Sequence, residues 1–286
     1  MDFSIWSILL IITKLAVYTT SFLAIGGAGF LAIFRDVKND ISAVIKRLIY
    51  ICAALAALSS IGFLLVQSGY IMEDGFAGMF DVEMLQIFLE ENIGSSLYMR
   101  IFAMILLILL VVFLPHQKLF IAVPIVLTAA SFALVGHATG DYQIYTSILL
   151  TVHLLAVGFW VGALWPLYLS ANQPSGAAML AQFGKIASFV VPSLIVVGLL
   201  FGIYIVGSVS ALFTSSYGIS LLIKVAIVGI LLGLAALNKI LFVPYIAAQR
   251  PKAVQWLRLT IAVEALAFLA IFTVTAALTT IMTLPE

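Results

Sequence analysis

Six side chains able to hold a proton or a metal ion fall within apolar stretches of this 286-residue chain: Lys14, Arg100, His137, His153, Lys224 and Glu264. In lipid such groups cost at least about 2.5–3.5 kcal/mol at the bilayer centre on insertion scales, which makes each a functional candidate by default. Imidazole is the commonest metal ligand and titrates near neutral pH. His137, in Val-Gly-His-Ala-Thr-Gly-Asp, closes one apolar run, and His153 lies about three turns into the next, roughly 16 Å below the same surface. Together they mark a descent from one face into a helical bundle, whereas His116, in Leu-Pro-His-Gln-Lys, belongs to a solvated turn.

Methionine gives an independent signal. Met72, Met79, Met84 and Met99 gather in one connection and its flanks, Met104 follows a turn deeper, and only Met179 is assigned to the opposite side. Thioether sulfur is a soft ligand suited to Cu(I). It also fills irregular apolar surfaces, so soft-metal binding and lid packing stand side by side for these residues. Glu264 lies about 18 Å deep and must be protonated, paired or water-facing. Lys14 reaches a comparable level from the other side, and a Lys14–Glu264 pair is the expected partnership, as a tie between the first and last helices or as part of a transport route. Arg100 and Lys224 sit one or two turns inside their helices and are expected to snorkel to headgroups or lipid phosphate. The single cysteine, Cys52, excludes an intrachain disulfide and reads as a small packing residue.

The elements that must carry these groups follow from composition. Apolar and aromatic residues make up 64% of the chain and charged residues 9%, with a mean hydropathy of +1.26, against about 25% charged in a soluble domain. That excludes soluble enzymes and nucleic-acid binders, and no Gly-x4-Gly-Lys-Ser/Thr loop provides for a nucleotide. A span needs roughly 20 apolar residues. Eight such segments are predicted, at 5–34, 43–72, 95–114, 118–138, 143–170, 184–208, 217–242 and 253–282. They form an all-α membrane bundle, since runs such as Ile105 to Phe113 lack the alternation of a β-barrel. The first segment is too long for a signal peptide and is expected to be retained.

Eight crossings put both termini on one side. The connections on the other side carry Arg35, Lys38, Lys46, Arg47, Lys118, Lys185, Lys239, Arg250, Lys252 and Arg258, while the terminal side carries Glu73, Asp74, Asp81, Glu83, Glu90, Glu91 and Asp141. The positive-inside rule then makes the basic side cytoplasmic and both termini external. The connection 73–94, with Phe76, Met79, Phe80, Leu85, Phe88 and Leu89 among carboxylates, suits an amphipathic helix in the outer interface.

A duplication is also expected, with repeats at 1–140 and 141–286. Gly94 to Arg100 and Gly218 to Lys224 share the spacing Gly-x5-cation, and Tyr18 precedes Gly27-Ala28 as His153 precedes Gly162-Ala163, by nine residues in each case. An even number of helices per half implies repeats of like orientation, related by an axis along the membrane normal. Tyr18 is then the counterpart of His153.

Several stretches together resemble the copper resistance protein D (CopD) family of bacterial inner-membrane proteins. They are Leu134 to Thr139; His153-Leu-Leu-Ala-Val-Gly-Phe-Trp160-Val-Gly162; Ser216 to Lys224 with Asn238 further on; Arg258 and Glu264; and Gly94 to Arg100. The resemblance implies an eight-helix protein of the cytoplasmic membrane that moves copper from periplasm to cytoplasm, without enzymatic activity, often beside a small periplasmic copper-binding protein. His137 and His153 match family histidines. Tyr18 departs from the pattern, because relatives often carry histidine there and a phenol is a poor Cu(I) ligand. The alternatives are a copper-binding scaffold that moves nothing, and a membrane electron carrier or metal reductase with haem b between His137 and His153. The haem reading is disfavoured by the different depths of the two rings.

Overall fold

The computed structural model describes residues 5–34, 37–114, 117–135, 143–206 and 209–281. His116, His137, Asp141 and Arg35 lie outside the described residues. In chain order the elements are α1 (Ile5–Ile33), α2 (Asn39–Met72), a 3-10 turn (Ala77–Phe80), α3 (Val82–Glu90), α4 (Asn92–Phe113) and α5 (Lys118–Ser131), which a second 3-10 turn prolongs through Phe132–Leu134. Then come α6 (Gln143–Ser170), α7 (Gly176–Val206), α8 (Val209–Thr214), α9 (Ser216–Leu237), a π turn (Asn238–Phe242), α10 (Val243–Ala247) and α11 (Ala253–Ile281). No β-strand occurs among the described residues.

Among the described residues seven helices are long and apolar enough to cross a membrane: α1, α2, α4, α6, α7, α9 with its continuation to Ala247, and α11. The segment predicted as the fourth span differs. It is a helix of 14 residues interrupted by Pro124, followed by the 3-10 turn to Leu134, too short by itself for a hydrocarbon core of about 30 Å. The predicted start of the second segment moves out to Asn39 and that of the sixth to Gly176. Pro124, Pro166 and Pro192 all lie within helices; neighbouring hydroxyls and carbonyls absorb such breaks in a membrane bundle.

Charge divides the ends of the bundle. Trp6 at the start of α1 packs edge-on against Phe76, with centroids 5.9 Å apart, so α1 begins beside the connection that holds Glu73, Asp74, Asp81, Glu83, Glu90 and Glu91. This is the acidic end. Lys38, Lys118, Lys185, Arg250 and Lys252 lie at the opposite, basic end. Across the acidic end runs α3, capped by Asp81, whose carboxylate accepts from the Met84 N–H at 2.8 Å. Its Phe88 is buried against Leu64 and Leu97, while Val82 and Ile87, with Phe76 and Phe80 before it, remain exposed. That is the amphipathic helix the sequence predicts within this connection.

Helices α1 and α6, which run in the same direction from the acidic end, meet backbone to backbone. A Cβ on Gly26 would lie 2.6 Å from the Gly162 Cα, and one on Gly162 would enter the Gly26 backbone. Small residues at a Gly-x3-Gly spacing let membrane helices approach this far, and Gly158 and Gly162 supply it. In contrast, α7 and α9 turn large apolar side chains outward, among them Phe189, Leu199, Ile203, Val225 and Ile230.

Candidate functional site

In the half of the bundle nearer the basic end, Glu264 of α11 is 3% exposed. Its Oε2 accepts from the Trp160 indole N–H at 3.1 Å, and its Oε1 accepts from the Asn238 amide at 2.6 Å. The Thr260 hydroxyl donates to the Asn238 carbonyl oxygen at 2.5 Å. With its oxygen occupied, the Asn238 amide turns its NH2 to the carboxylate. Among the described residues Glu264 therefore meets neutral donors on both oxygens and no ion-pair partner. Asn238 opens the π turn, whose extra residue per turn bulges the helix, as such turns do at many functional sites.

Glu264, Trp160 and Asn238 form one wall of a partly open cavity of about 380 Å³, lined elsewhere by Ser188, Pro192 and Lys239 among others. A second hollow of about 530 Å³ shares Gly184, Lys239 and Val243 with it and extends along Lys185 and Ala247 toward the basic end. The Lys239 ammonium donates to the Ser188 hydroxyl at 2.5 Å, which bridges α7 to the π turn across the mouth.

His153 stands two turns above Trp160 on α6. Seven residues bring a helix back to nearly the same face about 10 Å further along its axis, so the imidazole and the indole share one face. The His153 Nδ1 is buried and has no hydrogen-bond partner, and a Cβ on Gly198 of α7 would lie 3.3 Å from it. The Leu194 carbonyl lies against the ring, and the half-buried Lys224 of α9 is close enough for its charge to act on it. Lys224 is thus turned toward the bundle as well as toward the acidic end. A buried ring nitrogen without a partner costs free energy unless something else binds it, and a metal ion is one such partner for imidazole.

Arg100 corrects an expectation. It does not snorkel; it is 6% exposed, with Nε donating to Ser131 Oγ at 3.1 Å, Nη1 to Ser60 Oγ at 3.3 Å and Nη2 to Ser96 Oγ at 3.0 Å. Its guanidinium also lies 4.1 Å from the Phe132 ring centroid. The fork ties α2, α4 and the end of α5 together, and planar geometry suits it to three acceptors at once where an ammonium would not do. Arg100→Lys is expected to lower stability by about 2–3 kcal/mol, the scale of hydrogen bonds to a charged group, read as a lower melting temperature of the purified chain in detergent.

The Lys14–Glu264 pair does not form. The Lys14 ammonium donates to the Thr279 carbonyl at 2.8 Å and to Thr280 Oγ1 at 3.4 Å, near the acidic end of α11. Fifteen residues separate Thr279 from Glu264, about 22 Å of helix. Spans approaching thirty residues leave a gap between groups that each enter ten residues from opposite ends. Tyr18 shares that neighbourhood, its hydroxyl 3.4 Å from Thr279 Oγ1 and its ring 5.4 Å from Phe132, and the Arg100 charge acts on both Lys14 and Tyr18.

The methionines divide. Met72 and Met79 flank the contact of Gly69 with Gly78, where an added Cβ would lie 2.8 Å from Met79 Cγ or from Met72 Cβ. Met84 packs separately beside Leu64, Phe88 and Leu97, Met99 is half-buried on α4, and Met104 is buried in the main core. Cys52 is buried there too. No group of three His, Cys, Asp or Glu side chains placed to hold a metal occurs among the described residues. Sequence reading missed the part of Trp160 in the site and the serines around Arg100. The seven-residue interval from His153 to Trp160, and isolated Ser60, Ser96 and Ser131 near the ends of apolar runs, were the available signals.

Residues 4–145 match the family model described as copper resistance protein D-like, N-terminal domain, and residues 177–278 match copper resistance protein D. The inner membrane protein YebZ of Escherichia coli (strain K12) is 27% identical over 216 residues, covering 71% of this chain and 73% of its own. No solved structure matches.

Proposed function

This chain belongs to the copper resistance protein D family, and from that premise we propose that it carries copper ions across a bacterial cytoplasmic membrane, from periplasm to cytoplasm. The observation that carries the reading is the buried, partnerless His153 Nδ1, set on one helix face above Trp160 and Glu264, with a cavity leading on to the basic end. By the positive-inside rule the basic end is cytoplasmic, and the acidic end, with both termini, is periplasmic; in this reading the segment that holds the short α5 counts as the eighth crossing. The inner-membrane location of the relative agrees.

In this reading the carboxylates and Met72, Met79, Met84 and Met99 at the periplasmic face concentrate the ion, received there from a small periplasmic copper-binding protein. His137 accepts it and His153 brings it into the bundle, as imidazole and thioether ligands suit copper. The protein is a permease rather than an enzyme and needs no haem. Two four-helix repeats, 1–140 and 141–286, frame the route. In their support, α1 and α6 run parallel and meet at Gly26 and Gly162, and Arg100 acts on Tyr18 as Lys224 acts on His153. The second pairing keeps the ligand; the first, with a phenol, an arginine held by serines and Lys14 tied to α11, is structural.

Copper flux tests the reading. Liposomes carrying the purified chain and a lumenal Cu(I) indicator are expected to take up copper, and chain-free liposomes are not. Binding without flux would leave a scaffold, and a Soret band that survives purification would replace transport with electron transfer.

A further inference from the structure

We propose that Glu264 is a proton-exchange site, its carboxyl group releasing and regaining a proton through the cavity at the basic end as the charge of the copper ion passes His153. The inference rests on the transport reading only for the identity of the ion that drives the exchange.

Among the described residues Glu264 is the one buried carboxylate. An ionised carboxylate at this depth needs compensation, and the groups that face it supply dipoles but no charge. From α6 it meets Trp160, with His153 two turns away; from the π turn it meets Asn238. Lys239 is the other charged residue on the cavity wall, with its ammonium on Ser188. α7 presents Ser188 and Pro192 there, and on its own helix Arg258 donates to the Tyr168 carbonyl at 3.1 Å. A proton is the compensating charge left, and water in the cavity can bring and remove it.

Release breaks the carboxyl O–H bond. The electron pair stays on the carboxylate, whose oxygens already accept from Trp160 and Asn238, and the proton passes to water on the basic side. Toward the acidic end the way is closed by a chain of ring contacts: Trp160 edge-on to Phe268 at 5.5 Å, Phe268 tilted against Phe272 at 6.3 Å, Phe272 stacked on Phe22 at 5.4 Å and Phe22 stacked on Phe132 at 5.5 Å. Exchange is thereby confined to one side.

Dicyclohexylcarbodiimide, an apolar reagent that modifies protonated carboxyl groups within membranes, tests the site in the purified full-length chain. Mass spectrometry is expected to find the adduct on Glu264, with labelling falling about tenfold between about pH 5 and about pH 9. In liposomes the reagent should inhibit copper flux of the wild type and leave any flux of Glu264→Gln unchanged. Glu264 unlabelled throughout, or labelled equally at every pH, overturns the proposal even where copper moves. Labelling that follows pH in a chain that moves no copper sustains the proton site and rejects transport instead, and because labelling is read on the wild type, a variant that fails to fold does not obscure the answer.

Discussion

His153→Ala is expected to bring copper flux into liposomes down to the chain-free level and to weaken copper binding by more than about tenfold, since removing even a supporting residue from a metal site costs 10–100-fold. The reason lies in the buried Nδ1: it meets no partner at full hydrogen-bond geometry, and the Leu194 carbonyl makes only a weak contact with the ring, so its loss costs little internal hydrogen bonding. The melting temperature should therefore hold within a few degrees while flux disappears, a combination that a merely packed histidine would not produce. His153→Met should recover part of the Cu(I) flux, because thioether is a soft ligand of similar reach. Gly198→Ala offers a second view of the same atom. Its methyl would stand 3.3 Å from Nδ1 and 3.2 Å from Cε1, narrowing the approach with the ligand intact, and is expected to lower flux severalfold. Wild-type flux and binding in His153→Ala would refute the route.

The largest effect on folding is expected at Gly162. Leucine there has no space to enter, because even a methyl group collides with the Gly26 backbone. The two helices would have to separate along the whole contact, which also carries Gly158 against Ile25 and Phe22. A loss above about 4 kcal/mol, within the exceptional range for single substitutions, should show as failure to recover a monodisperse chain from membranes. Gly202→Ala is the control. Nothing lies within 4 Å of a Cβ at Gly202, so that variant should behave as wild type or gain slightly from alanine's helix preference. A Gly162→Leu chain that melts like the wild type would refute the close crossing.

Much of this arrangement is legible in the residues before any fold is known, and the parts that are not share one cause. The helices follow from apolar run length, the amphipathic connection from its mixture of Phe, Met and carboxylates, and the division of charge from the loops. Depth along a helix was also readable, which is why His153 and Glu264 stood out. Lateral neighbours were not. Arg100 read as a snorkelling residue because a position two turns from a helix end allows that equally well; only the arrival of Ser60 and Ser131 from other helices decides against it. The Lys14–Glu264 pairing failed for a related reason, since counting in from each end ignores how far the spans exceed the minimum crossing length. Trp160 belongs to the segment that carries the family resemblance, but its part in the site is set only where α11 brings Glu264 to its indole N–H. The eighth span, around α5, was set by hydropathy alone, which does not register how early Pro124 and the 3-10 turn shorten the helix.

Two helices that touch backbone to backbone over one short stretch, Gly26 against Gly158 and Gly162, act on each other as beam and fulcrum. From Gly162 the beam of α6 extends 19 residues to Gln143 and 8 to Ser170, arms of about 28 Å and 12 Å. Tilting it enough to shift the short arm by about 2 Å sweeps the long arm through nearly 5 Å, by the ratio of those lengths. The two mouths of the bundle are then geared unequally, so that a small adjustment at the basic rim is amplified into a wide excursion at the acidic one.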